Sequence, residues 1–85
     1  MKILYTEEFR KQFRKLPSDA QHFYKKQERI FLNNWKDARL HVKKLVGHEL
    51  SFSFRITRRY RVIFNFVAEG TALFLTIGHR KDIYR

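Results

Sequence analysis

The chain has 85 residues, 44% hydrophobic and 16% aromatic, with 19 lysines and arginines against 8 acids, for a formal net charge of +11. That length makes a single domain, residues 1–85, with enough apolar content for a core; the charge predicts a polyanionic partner, nucleic acid first, then an acidic protein, then an anionic membrane surface. The absence of cysteine excludes disulfides and thiolate metal sites, and with no signal-peptide pattern and no apolar run near the roughly 18 residues of a membrane span, a cytoplasmic protein is expected.

Residues 2–5 read as a short edge or first strand. Thr6 can cap a helix whose first turn carries Glu7 and Glu8. Phe9, Phe13 and Leu16 fall on one face of it, and Pro17 stops it. Ser18 and Gln21 fit a capping box for a second helix running to about Trp35. Ala20, Phe23, Tyr24, Gln27, Ile30, Phe31 and Asn34 share one face of that helix, and Lys25, Lys26, Glu28 and Arg29 lie opposite. With only Pro17 between them, the two helices should form an antiparallel hairpin.

Residues 36–49 lack periodicity, with a turn marked by Gly47. Three alternating segments follow, Leu50 to Ile56, Tyr60 to Val67 and Ala72 to Ile77, with Glu69-Gly70 turning the second into the third. Leu73, Leu75 and Ile77 are expected to share a face, with Gly78 to Arg85 following as a basic tail. A three-residue loop, Thr57 to Arg59, opposes Ile56 to Tyr60 and Arg55 to Arg61 and keeps apolar residues on one face. A two-residue loop would mix the faces. The expected fold class is therefore α+β: an N-terminal strand, a helical hairpin, then a three-stranded antiparallel sheet with the helices on one face.

On the other face the preferred register sets two arginines side by side, Arg55 and Arg61, which suggests an anion between them. They could clamp a phosphate, since guanidinium forks match phosphate oxygens, or they could be unrelated surface charges. His79 could move a proton near neutral pH or be an ordinary surface histidine, as expected for His22, His41 and His48. Tyr84 could stack on a base or dock the tail. Tyr60 falls on the core face. Lys43-Lys44 and the Arg58-Arg59 turn look like phosphate-backbone contacts, and Lys81 and Arg85 add charge to the tail. The histidines lack metal-ligand spacing and carboxylates are few, so no metal and no cofactor are expected. Carboxylate pairs, a Gly-rich phosphate loop and a serine elbow are all missing, which argues against glycosidase, nucleotidase and serine-hydrolase chemistry.

The ordered set Leu45-Val46-Gly47, Phe52-Ser53-Phe54-Arg55-Ile56, Tyr60-Arg61-Val62-Ile63-Phe64 and Gly78-His79-Arg80-Lys81-Asp82-Ile83-Tyr84 resembles the RelE/ParE superfamily of bacterial type II toxins. The similarity spans essentially the whole chain. What it implies is a toxin acting as a ribosome-dependent mRNA interferase, an endoribonuclease that cuts mRNA in the decoding site without a metal. Carried over by position, Arg61 matches the arginine on the scissile phosphate and Arg55 a basic strand residue. Arg80 matches a transition-state arginine, Tyr84 the aromatic that stacks on the base, and His79 lies near a catalytic histidine. The implied RNA-contacting positions are Lys43, Lys44, Ser53, Arg58, Arg59, Lys81 and Arg85. The chain departs from RelE at Ser53, where RelE has a lysine, and from YoeB-like toxins at Lys43, where they have a glutamate base.

The implied partners are mRNA, the ribosome with its 16S rRNA, and an acidic cognate antitoxin whose flexible segment folds on this surface. Two alternatives remain: a ParE-like inhibitor of DNA gyrase without nuclease activity, and a non-catalytic RNA-binding module.

Overall fold

Helix starts, turns and strand register are each set by a few residues that can be named. In the computed structural model, which describes residues 1–47 and 51–83, Lys2–Tyr5 form strand β1 and Glu7–Arg14 helix α1. Thr6 does double duty between them. Its Oγ1 accepts the Phe9 N–H at 3.0 Å, capping α1, and donates to the Leu75 carbonyl at 2.6 Å. Such a cap contributes about 1 kcal/mol, and here it also pins the helix start to the sheet.

Helix α2 runs Ser18–Asn33, stopping two residues short of Trp35. The expected capping box is absent: Pro17 takes the cap position without a side-chain cap bond, and Asp19 Oδ1 accepts the Ala20 N–H at 2.8 Å in the first turn. Gln21 instead turns back, and its Nε2 donates to the carbonyls of Phe13 at 3.0 Å and Leu16 at 3.2 Å. The residue read as an N-terminal cap thus closes the C-terminal end of the preceding helix, where carbonyls lack partners. Phe23, expected inward, is 45% exposed, while Ala20, Tyr24, Gln27, Ile30 and Phe31 are buried. A 3₁₀ turn, Ala38–Leu40, follows, capped by Asp37 Oδ1 on the Arg39 N–H at 2.9 Å. The Arg39 guanidinium hydrogen-bonded to Asp37 holds that carboxyl down at about 2.

The sheet has five strands, one more than the N-terminal strand and three others expected, and the N-terminal strand lies at its edge. The remaining four are β2 (Lys43–Lys44), β3 (Ser51–Arg55), β4 (Tyr60–Ala68) and β5 (Thr71–His79), ordered β1-β5-β4-β3-β2. β1 joins the far edge parallel to β5, and the other pairings are antiparallel. Two exposed lysines make β2 an edge strand, which carries no alternating pattern to reveal it. The expected strand start at Leu50 lies outside the described residues.

The Thr57–Arg59 loop and its register are as expected, with Arg55 opposite Arg61 and the Ile56 N–H donating to the Tyr60 carbonyl at 3.0 Å. β5 differs from expectation. A register shift opposite Ile63/Phe64 makes Leu75 the extra residue, so Ala72 and Phe74 are buried before it and Ile77 after it, while Leu73 and Leu75 are only half-buried. β5 also continues through Gly78 and His79, so the C-terminal segment begins at Arg80.

The core lies between the helices and one sheet face. Phe31, Phe54, Phe64 and Phe74 are fully buried with Leu40 and Val62. Phe31 meets Phe64 and Phe74 edge-on, with ring centroids at 5.0 and 5.1 Å, the arrangement aromatic quadrupoles favour. At the margin, the Tyr5 hydroxyl donates to Glu28 at 2.7 Å, and Tyr24 donates to the same carboxylate. Burial, then the bond to Glu28, pushes the Tyr5 phenol up to about 12 and the Tyr24 phenol higher still. Among the described residues, no helix is long and apolar enough to cross a membrane.

Candidate nucleic-acid interface

The sheet face away from the helices carries two cross-strand rows. One runs Lys43, Ser53, Ile63 and Thr76, and the other Arg55, Arg61 and Gly78. β2 and the turn after it border this face on one side, and the segment after β5 borders it on the other. The result is a basin of about 550 Å³ lined by His41, Lys43, Lys44, Leu45, Val46, Ser53, Arg55, Arg61, Arg80 and Lys81. It is open and strongly basic, a shape that suits an extended polyanion better than a small enclosed ligand.

Arg61 is only 8% exposed. Its Nη1 donates to the carbonyls of Thr57 at 2.7 Å, Arg58 at 2.9 Å and Tyr60 at 3.2 Å. Carbonyl dipoles from the β3–β4 loop therefore offset its charge beside Arg55, so the pair does not require an anion between them. The same bonds lock the loop and fix the guanidinium at the basin floor. Ser53 is buried beside it, at 2% exposure.

The C-terminal segment is held by backbone. The Arg80 N–H donates to the Arg59 carbonyl at 2.7 Å, and those of Asp82 and Ile83 to the His79 carbonyl at 2.9 and 3.2 Å. Ile83 packs against Gly78 so closely that a Cβ there would lie 2.7 Å from its Cγ2. Gly78 thus admits the fold-back that delivers Arg80 and Lys81 to the basin.

The structure brings together Lys43, Lys44, Ser53, Arg55, Arg61, Arg80 and Lys81 from the expected set. His79 stands elsewhere: opposite Tyr60 on the helix-side face, with ring centroids 5.6 Å apart, it lines a separate hollow with Glu8, Gln12 and Asp82. Its Nδ1 accepts the Lys81 N–H at 3.1 Å, which puts the proton of the neutral ring on Nε2. Arg58 and Arg59 line a third hollow beside Pro17 and Asp19. Tyr84 and Arg85 lie outside the described residues. The histidine that does line the basin is His41, read from sequence as an ordinary surface residue. Nothing in periodicity could have found it, because a left-handed residue closing a 3₁₀ turn (φ 50°) places it there. Among the described residues, no group of three acids or histidines could hold a metal ion.

No family model matches the chain, and no curated protein matches it significantly. Solved structures do. The RelB–RelE antitoxin–toxin complex of Methanococcus jannaschii aligns with a TM-score of 0.78 at 24% identity over 95% of this chain and 94% of that one. A YoeB/ParE toxin from Agrobacterium tumefaciens gives 0.79 at 14% identity over 94% and 99%. The DinJ–YafQ complex of E. coli gives 0.77 at 13% over 98% and 97%. The two helices, the five-stranded mixed sheet and the basic outer face are thus built on the fold of the RelE, YafQ and YoeB toxins.

Proposed function

We propose that this protein is the toxin of a type II toxin–antitoxin system and acts as a ribosome-dependent mRNA endonuclease. The observation that carries this reading is the gathering of Arg55, Arg61, Arg80, Lys81, Lys43 and Lys44 in one basin on a toxin fold. The 2′-hydroxyl of mRNA attacks the adjacent phosphorus, the bond to the 5′-oxygen breaks, and a 2′,3′-cyclic phosphate and a 5′-hydroxyl result. Arg55, Arg61 and Arg80 stabilise the charge that builds on the phosphorane, each worth about 10²–10³ in rate. The ribosome supplies much of the in-line geometry. His79 contributes through the C-terminal turn, where its ring accepts the Lys81 N–H. The proposed antagonist is an acidic antitoxin, supported by fold neighbours that are antitoxin–toxin complexes and by the +11 charge.

The test is primer extension on a defined mRNA with ribosomes stalled at a known codon. Wild type should cut within the A-site codon. Arg80→Ala should cut about 10²–10³-fold more slowly; Arg80 is exposed, so the fold is untouched. Ribosome-free mRNA, and a substrate with deoxyribose at the cut site, should survive. One of the fold neighbours is a YoeB/ParE toxin, which keeps a second reading in play: inhibition of DNA gyrase without cleavage. No cut by folded wild type, together with loss of gyrase supercoiling activity, would establish that reading instead.

A further inference from the structure

The proposed chemistry needs a group to take the 2′-hydroxyl proton, and the basin is poor in such groups. Lysine and arginine carry their protons at neutral pH and have no lone pair to offer, and a serine hydroxyl is a weak base. Among the described lining residues there is no carboxylate. His41 is the one imidazole among the described lining residues, the side-chain type that serves most often as a general base.

Its placement is built rather than incidental. His41 closes the 3₁₀ turn in a left-handed conformation, its N–H donating to the Ala38 carbonyl at 3.2 Å. From the other side of the sheet, buried Gln27 spans two elements with a single amide. Its Nε2 donates to the Arg39 carbonyl at 3.1 Å and to the Arg55 carbonyl at 2.9 Å. That bond pair ties the 3₁₀ turn to β3, and so ties the turn that carries His41 to the strand that carries Arg55, both of which line the basin.

Resting on the ribonuclease reading, we propose that His41 is the general base. Its imidazole takes the 2′-hydroxyl proton as the oxygen bonds to phosphorus. The 5′-oxygen leaves with the electrons of the broken P–O bond and takes a proton from water, and the imidazolium returns its proton to solvent. Among the described residues, the charged groups that line the basin with His41 are Lys43, Lys44, Arg55, Arg61, Arg80 and Lys81, all cationic. They hold the phosphate and leave the proton to His41.

The experiment is single-turnover cleavage on ribosome-bound mRNA across the pH range around neutrality. It compares wild type, His41→Asn, His79→Asn and His22→Asn, with and without added imidazole. Asparagine tolerates the left-handed backbone, and thermal melting checks that each variant folds. Expected for His41→Asn are a rate about 10²–10⁴-fold lower, loss of the rise of rate with pH, and partial restoration by imidazole. His22, exposed on α2, should be silent. An unchanged rate in His41→Asn, a slow variant that keeps its pH rise or ignores imidazole, or loss of the pH rise in His79→Asn instead would overturn the assignment while leaving the nuclease reading intact. No cleavage by wild type would overturn both.

Discussion

Arg61 shows how one side chain can be structural and functional at once. Its guanidinium holds two loop carbonyls and that of Tyr60 at the start of β4, and forms part of the basin floor. Removing a buried charged donor leaves those carbonyls short of partners, so Arg61→Ala should cost about 1.5–3 kcal/mol in urea unfolding as well as the cleavage rate. Arg61→Lys keeps the charge without the planar fork, so it should recover only part of the stability and little of the rate. Equal stability for all three proteins would show that the loop does not depend on Arg61. The pairing of Arg61 with Arg55 was legible in the sequence because apolar alternation admits a single consistent register. The three carbonyl bonds were not, because loop geometry leaves no trace in side-chain pattern. His41 was missed for a related reason: its position follows from a backbone angle at a turn without periodicity.

At the scale of elements, the strands and helices were legible wherever one face is apolar, and obscure where an irregularity shifts the pattern. The extra residue at Leu75 puts Ala72 and Phe74 on the same buried face as Ile77, and so breaks the face that simple alternation gave to Leu73, Leu75 and Ile77. Past that bulge, Gly78 leaves the room that Ile83 occupies. Gly78→Ala should displace Ile83, and with it Arg80 and Lys81, lowering cleavage at least tenfold while unfolding changes by only about 1–2 kcal/mol. Cleavage at the wild-type rate would show that the fold-back adapts. The junction of β1 and α2 offers a separate test through Glu28. The Tyr5 phenol is raised from 10.0 to about 12 in the folded chain. The unfolded chain therefore ionises first as pH climbs, and the stabilisation, complete below pH 10, is lost between pH 10 and 12. Tyr5→Phe should flatten the fall in stability over that window; an identical slope in both proteins would refute the coupling.

For the molecule as a whole, the sheet divides the labour: one face buries the phenylalanine cluster and the other gathers charge. The +11 charge is spread over the surface, and the basin gathers six of the described cations on a concave site framed by strands. Diffuse charge and a built site predict different salt behaviour. Each phosphate neutralised on single-stranded RNA contributes about −0.7 to the slope of log affinity against log salt, so a basin holding about four to six phosphates should give a slope of about −3 to −4. Replacing Lys43 and Lys44 together should bring the slope about one to one and a half units nearer zero, because both line the basin. Replacing Lys25 and Lys26, exposed on α2, should leave it nearly unchanged. Binding of a short uncleavable RNA, followed by fluorescence anisotropy at several salt concentrations, measures both slopes. Equal losses from the two pairs would mean that the RNA is held by net charge alone, and that the outer face of the sheet has no privileged role in binding.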